Sequence, residues 1–542
     1  MAHRWLLATV ILAILAAACG PSAGPAASTP AGDGQPKSGG ILTYRVEPDP
    51  FNWDVTFSKS TPNDDAASLT MDSLLGFKIG PGIAYTELIL RPELAEKWEV
   101  SADAKTFTFK LRQGAKFQNT PPVNGREVTS ADVKFSAEYR LRAGEFKDKK
   151  LPKAEVDYIY EGLDRVETPD KYTAVFHFTK PFVPFVNYAA SDWNPIFARE
   201  IYDQDGHFQD KLIGAGPFMI DLAASQKGTR WVFKKNPTYW DTGKPYVDEI
   251  RWLVVPLTTA MAAFQTKQLD ITPGLDYRDA QDAIKNNPNA VQHKTMEPRA
   301  NQLYLSQNPQ RNSPVRKQEV RRAISFATDR DELNKILTGG EGQWGLPGAM
   351  HGLFTEAEAK QIYRYDLEEA KRLMAQAGYP NGVTLEWPWP NDAERADISM
   401  AELLQSQWKK AGINVELKFL DKTDQRALRR RAEFDIDIGL GLGGLHDDPD
   451  SLQFGRYHSS SPNNNGHVRD PELDKLLEAS RQETNPEKRR ELMRNTTKYI
   501  AEKAWTVELL YRPNWYFWQP YVKGYSPNFG SQADYWQVWL DK

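Results

Sequence analysis

The architecture of this 542-residue chain is clearest in three neighbouring segments: RPELAEKWEVS (residues 91–101), TFTFKLRQGAKF (106–117) and VTSADV (128–133). In the second segment apolar and polar side chains alternate after a turn, which predicts a β-hairpin over about 98–111. In the third, Thr129 and Asp132 have the spacing of a helix N-cap and its third residue, so we expect a helix from there to about Arg142. Alternating strands and helices are typical of a mixed α/β fold.

The same alternation continues through the second half of the chain. Asp366 and Glu369 predict a capping box at the start of a helix that ends at Gly378. A further helix over about 400–411 precedes an alternating strand at 415–419. Both halves therefore predict the same α/β class.

Further blocks follow the opening segments in a fixed order: GAGPF (214–218), NPTYW (236–240), VRRAIS (320–325) and DPD (448–450). Together these segments resemble the peptide/nickel class of ABC-transporter solute-binding proteins, family 5. The resemblance spans about residue 40 to the C-terminus and is more specific for the fold than for the ligand. It implies a periplasmic-binding-protein-like fold of type II (the large cluster C class), with two lobes joined by a hinge, an inserted extra domain, and a ligand enclosed between the lobes.

The resemblance also implies a division of the chain into domains. Lobe I is expected to be discontinuous, built from 41–72, 213–295 and 506–542. The inserted domain is expected at 73–212, and lobe II at 296–505. The protein is expected to act as a monomer that delivers its solute to a membrane permease and its ATPase.

The N-terminus carries the pattern of an export signal over residues 1–19. A basic start precedes an apolar run at 5–18, which at 1.5 Å per residue reaches about 21 Å, short of the roughly 30 Å hydrocarbon core of a membrane. The small residues before Cys19 resemble a lipobox, although Ala16 stands where leucine is preferred. We expect lipidation of Cys19 and an extracytoplasmic, membrane-anchored location; the alternative is an ordinary secretory signal with an incidental cysteine.

The composition of the chain excludes some functions and structural features. Residues 20–40 are rich in Gly, Pro, Ser and Ala and predict a flexible tether. With 68 basic and 72 acidic residues mixed along the chain, no basic surface is expected to hold nucleic acid. Cys19 is the only cysteine, so no disulfide can form within the chain.

Aromatic residues supply most of the candidate ligand contacts. Trp387 and Trp389 lie at the end of a strand, where open α/β sheets present ligand-facing loops, and could hold a sugar ring or an apolar side chain between them. The alternative is a packed corner. On the first interpretation, Trp389→Ala should weaken binding and leave the melting temperature nearly unchanged. The full set of candidates is Asn52, Trp53, Trp387, Trp389, Asn391, Leu445, Asp447, Asp450, Trp515 and Tyr516.

A glycine-rich loop followed by acidic residues lies at 439–450. Its GxGxxG spacing does not predict a nucleotide site, because carboxylates follow where a helix N-terminus would have to face phosphate. A turn in which Asp447 or Asp450 binds backbone amides is favoured over a metal site. The family resemblance implies that this loop faces the ligand and that peptide-binding members carry an ammonium-binding aspartate at the position of Leu445. Either Asp447 substitutes for it, or the ligand is not a short peptide held by its N-terminus.

No catalytic residue, metal ligand or cofactor is expected. Neither a GxSxG nor an HExxH motif is present, and Asp435 and Asp437 on one side of a strand are more typical of a solvated edge than of an acid/base pair. The leading hypothesis is a solute receptor for peptides, with oligosaccharides second. A secreted lipoprotein hydrolase and a surface sensor or adhesion protein are the alternatives from other classes.

Overall fold

The computed structural model describes residues 34–50, 52–57, 60–80, 83, 87–152, 154, 157–391, 393, 395–439, 448–527 and 534–542. Strands and helices alternate along these ranges in a mixed α/β arrangement, as the sequence predicts. Within them, no helix has both the length and the apolar character needed to cross a bilayer.

Lobe I is organised around a sheet assembled from distant parts of the chain. Strand Ile41–Val46 pairs in parallel with Glu249–Val254, which continues antiparallel to Arg230–Lys235. On the other side, Ile271 bridges both Tyr44 and Trp518, which brings in the C-terminal region. The strands of this lobe are Ile41–Val46, Phe218–Ile220, Arg230–Lys235, Glu249–Val254, Val291–Met296, Pro513–Trp518, Val522–Lys523 and Trp539–Leu540; its helices are Thr61–Thr70, Leu257–Gln265, Tyr277–Asn286 and the short Tyr535–Gln537.

The inserted domain contains an antiparallel four-stranded sheet. The hairpin that the sequence predicts is confirmed: Ala95–Val100 pairs with Thr106–Leu111. The helix start is confirmed as well, because Thr129 and Asp132 form a capping box. The strands here are Leu75–Phe77, Leu90–Pro92, Ala95–Val100, Thr106–Leu111, Leu163–Asp170 and Thr173–Phe178; the helices are Ser130–Leu141, Gly144–Phe146, Asp157–Tyr160, Phe185–Tyr188 and Arg199–Asp205.

Lobe II is built on strand Gln302–Leu305, flanked by Ile436–Gly439 and Thr506–Glu508. Its other strands are Gln343–Trp344, Val383–Pro390, Ile413–Leu420 and Leu510–Tyr511; its helices are Pro314–Arg316, Gln318–Phe326, Arg330–Thr338, Glu356–Ile362, Leu367–Gln376, Arg395–Lys409, Lys422–Arg431, Asp450–Tyr457, Pro471–Gln482 and Pro486–Lys503. Asp366 caps its helix as expected, but Glu369 does not complete the box, because its carboxylate binds Arg372 at 2.7 Å instead.

The chain crosses between the lobes twice, and the second crossing lies later than the sequence suggests. Thr506–Glu508 and Leu510–Tyr511, expected in lobe I, hydrogen-bond to lobe II strands. The return to lobe I begins at Pro513, where the chain pairs with Val291–Met296. These two neighbouring strands form the connection at which a hinge is expected.

The inserted domain contacts both lobes. One apolar core extends from lobe I through the inserted domain into the lobe II helices Asp450–Tyr457 and Pro471–Gln482, while a second core fills the rest of lobe II. A buried polar cluster lies at the contact between the inserted domain and lobe II. Arg481 pairs with Asp450 at 2.8 Å, and the Tyr188 hydroxyl of the inserted domain donates to Asp450 at 2.6 Å.

Candidate functional site

A cavity of about 200 Å³ lies beside the two strands that connect the lobes. Both lobes and the connecting strands contribute to its walls. Lobe I supplies Gly274, Asp276 and Tyr277; lobe II supplies Leu337, Thr338 and Asp397; the crossings supply Glu297, Arg512, Pro513 and Asn514. An occupant of this cavity would therefore touch both lobes at once.

Local structure fixes the acidic side chains of the cavity. Asp276 caps helix Tyr277–Asn286 by accepting a hydrogen bond from the Asp279 amide at 2.9 Å. Glu297 follows strand Val291–Met296; its carboxylate accepts from Asn514 Nδ2 at 3.1 Å. The Glu297 amide also donates to the Arg512 carbonyl at 2.9 Å, which ties the two crossings together.

Asp397 is the most buried of the acidic residues in the cavity, with 9% of its surface exposed. Burial raises the pKa of its carboxyl group; Arg512 opposes this shift, while Glu297 and Asp276 add to it. The Arg512 guanidinium lies 3.8 Å from the carboxylate, beyond hydrogen-bond distance. Among the described residues that line the cavity, three carboxylates thus face one guanidinium.

A second, smaller cavity of about 60 Å³ lies between lobe I and the inserted domain. Arg91 pairs there with Glu93 at 2.8 Å and with Asp534 at 3.2 Å. Burial raises the pKa of Glu93 to about 7. The described residues that line this cavity belong to lobe I and the inserted domain, and we regard it as part of a structural junction.

The two tryptophans expected at a ligand-facing loop lie in the core of lobe II. Trp387 and Trp389 have no exposed surface. Their rings meet edge to face at 5.0 Å, and Trp387 stacks on Trp408 of the following helix at 5.9 Å. The ligand-facing expectation is therefore wrong for their position; the alternative, a packed corner, agrees with the structure.

Asp450 is also buried among protein partners. Its carboxylate accepts hydrogen bonds from Arg481 and Tyr188. Asp450 therefore belongs to the contact between lobe II and the inserted domain and does not face a ligand. Asp435 and Asp437, expected on a solvated edge, are buried as well. Strand Ile436–Gly439 is an outer strand of the three-stranded sheet and pairs with Gln302–Leu305. Burial of the two carboxylates is compensated by arginines, because Arg311 pairs with Asp435 and Arg429 with Asp437.

The remaining candidates are dispersed. Trp53 is buried against Trp231 at 5.0 Å, and Asn52 accepts a hydrogen bond from the Asp54 amide. Asn391 is exposed at the end of its strand.

Two candidates come close to the interlobe cavity. Trp515 packs beside Tyr277, with ring centroids 5.9 Å apart. Tyr516 lies against Gly274, where an added Cβ would meet its ring at 3.1 Å. Leu445, Asp447 and Cys19 lie outside the described residues.

Sequence reasoning missed the acidic residues that line the interlobe cavity. Asp276, Glu297 and Asp397 are far apart in the chain and share no local motif. The only available signal was indirect: the expected lobe boundary at 295/296 lies next to Glu297. A search for charged residues at the expected first crossing would have found Glu297, whereas Arg512 lies seven residues beyond the expected second crossing at 505/506.

The protein has two lobes that are connected by paired strands, and both lobes line one cavity. This arrangement is typical of the class of solute-binding proteins. Residues 90–465 match the family of bacterial extracellular solute-binding proteins, family 5. The chain belongs to this family.

Individual relatives agree with this assignment. The chain is 30% identical to the dipeptide-binding protein of Escherichia coli over 76% of its length and 77% of the relative's. It is 26% identical to heme-binding protein A of Haemophilus influenzae, over 98% of each chain. Among solved structures, a periplasmic binding protein from Helicobacter pylori in complex with the peptide STSA has a TM-score of 0.79 at 23% identity, covering 93% of this chain and 99% of that one.

Proposed function

We propose that this protein captures a short peptide between its two lobes and delivers it to the permease of an ABC importer. The cavity at the crossings carries the proposal, because its walls come from both lobes. A ligand touches both lobes in the closed arrangement but only one lobe in the open arrangement. Because it therefore binds the closed arrangement more tightly, it favours closure. This mechanism needs no chemical change in the ligand.

Peptide is preferred to oligosaccharide as the ligand. The E. coli relative is named for dipeptide binding, whereas the tryptophans that suggested a sugar platform are core residues. The H. influenzae relative, named for heme binding, indicates that the ligand class varies among similar chains. A hydrolytic role finds little support, because the acid pair it would use is neutralised by Arg311 and Arg429.

We further propose that Cys19 carries a lipid anchor and that the protein acts as an extracytoplasmic monomer. The lipobox-like sequence supports the anchor, and the family assignment supports the location. Metabolic labelling with a radioactive fatty acid, with a Cys19→Ser variant as the control, tests the anchor. Label that persists in the variant would contradict it.

Isothermal titration calorimetry with dipeptides, tripeptides and short oligosaccharides tests the proposed ligand class. We expect saturable binding of a peptide, and mass spectrometry should recover that peptide unchanged after incubation. Binding of sugars alone would contradict the peptide assignment. Catalytic consumption of the peptide would contradict the receptor mechanism.

A further inference from the structure

We propose that the C-terminal end of helix Lys422–Arg431, together with two nearby arginines, is a surface that lies against the anionic headgroups of a membrane. This inference rests on the proposed lipid anchor at Cys19, since the anchor holds the protein beside a membrane. It goes beyond the proposed function because it assigns the side of the protein that faces the lipid.

Positive charge is concentrated at the end of helix Lys422–Arg431. Its last two turns contain four arginines: Arg426, Arg429, Arg430 and Arg431. The acidic residue of this helix, Asp424, lies in its first turn. The end of the helix is therefore strongly basic, although the formal net charge of the whole chain is -4.

The four arginines differ in their partners. Arg429 and Arg431 each pair with a carboxylate. Arg426 and Arg430 are exposed, and no carboxylate in the described part of the chain pairs with either of them. Because they stand four positions apart, they are neighbours on the helix surface, where like charges repel and destabilise the helix. An anionic partner would offset this repulsion.

Arg316 extends the basic surface beyond the helix. Asn308 Nδ2 donates a hydrogen bond to the Arg431 carbonyl at 3.0 Å, which holds the segment 308–316 beside the helix end. The exposed Arg316 side chain donates to the Pro309 carbonyl at 3.4 Å, so its guanidinium lies close to this contact.

Arg469 extends the surface through a second contact. His467 Nε2 lies 3.2 Å from the Arg430 carbonyl. Arg469 follows two positions later, is exposed, and donates to the Val468 carbonyl at 2.9 Å. Among the described residues no carboxylate pairs with any of the four members of what we call the arginine surface: Arg316, Arg426, Arg430 and Arg469.

The chemistry of the arginine surface suits phosphate. A guanidinium is planar, weakly hydrated and able to donate two parallel hydrogen bonds to one phosphate group. Anionic phospholipids present phosphates in a dense layer, and each lysine or arginine near that layer strengthens binding. A protein with a net charge of -4 is repelled by such a layer unless it turns a basic surface toward it.

Vesicle binding tests this proposal. The partition coefficient of the purified protein is measured with vesicles of phosphatidylcholine alone and with vesicles that also contain phosphatidylglycerol. An acyl anchor contributes to both coefficients, so their ratio isolates the contribution of charge. We expect a preference for the anionic vesicles that disappears as added salt screens the charges. In Arg426→Gln/Arg430→Gln this ratio should fall at least about tenfold.

Arg278→Gln/Lys285→Gln is the matched control, because it removes two exposed cations from helix Tyr277–Asn286 of lobe I. It should retain the wild-type ratio. An unchanged ratio in Arg426→Gln/Arg430→Gln, or an equal fall in the control, would overturn the proposed surface.

Two further measurements separate the alternatives. Binding of polyglutamate through Arg426 and Arg430, without a preference for anionic vesicles, would overturn the membrane assignment in favour of an acidic protein surface. Peptide calorimetry on the same variants should give the wild-type affinity, which shows that they are folded. Loss of the vesicle preference would therefore overturn the arginine surface alone, whereas missing fatty-acid label on Cys19 would overturn the anchor.

Discussion

Among the single residues, Trp389 shows how burial overturns the expectation of a ligand contact. Sequence reasoning assigned it to a ligand-facing loop, whereas the structure buries it completely beside Trp387. Whether a tryptophan at a strand end faces solvent depends on what covers it. Here the following helix covers that face through Trp408, which packs on Trp387.

Trp389→Ala should therefore destabilise the protein. Truncating a fully buried tryptophan leaves a cavity, and we expect a loss of about 3–5 kcal/mol in the free energy of unfolding, measured by urea denaturation. Phe419→Ala is the control, because Phe419 is the register partner of Trp389 on the neighbouring strand and is 52% exposed. A loss as small in Trp389→Ala as in Phe419→Ala would contradict the core assignment.

The candidate site was less predictable from sequence than the fold. Local patterns such as the Thr129 cap predicted their elements, because neighbouring residues determine them. Asp450 instead depends on Tyr188, 262 positions away, and on Arg481, 31 positions away. Its role as an interdomain contact could not be inferred from the acidic turn that contains it.

At the scale of elements, the central strands of lobe II carry a buried carboxyl group. Glu508 accepts hydrogen bonds from Gln302 at 2.9 Å, Thr506 at 2.9 Å and Tyr363 at 3.2 Å. Burial raises its pKa to about 7 despite these donors. Between about pH 4.5 and 7, the folded protein therefore keeps a proton on Glu508 that the unfolded chain has already released.

Because the pKa of Glu508 differs between the folded and unfolded states, the stability of the protein depends on pH through this residue. Its contribution to stability falls as pH rises through that window, because the folded state binds more protons than the unfolded state. Between pH 5 and 7.5, wild type should lose about 2 kcal/mol more than Glu508→Gln in chemical denaturation. Glu368→Gln, at an exposed side chain, should follow the wild-type profile. Parallel profiles for wild type and Glu508→Gln would contradict the shifted pKa.

At the scale of the whole molecule, the inserted domain is attached to both lobes. Its contact with lobe II depends on Arg481, which pairs with Asp450, contacts Glu161 of the inserted domain and lies 3.2 Å from the ring centroid of Phe454. Removing one partner from such a buried cluster leaves a charge without compensation.

Arg481→Met should accordingly cost about 3–5 kcal/mol of unfolding free energy, because Asp450 would remain buried without its arginine partner. Lys475→Met on the same helix, at a side chain that is 75% exposed, is the control and should cost less than about 0.5 kcal/mol. The double variant Arg481→Met with Asp450→Asn should recover part of the loss. Equal stability of the two single variants would show that this cluster does not hold the inserted domain.

We expect a ligand to bring the two lobes together without being altered. Small-angle X-ray scattering of the purified protein, with and without a saturating peptide found by calorimetry, tests it most directly. We predict a smaller radius of gyration in the presence of the peptide and full recovery of that peptide afterwards. Saturable binding with an unchanged radius of gyration, or with consumption of the peptide, would contradict the account.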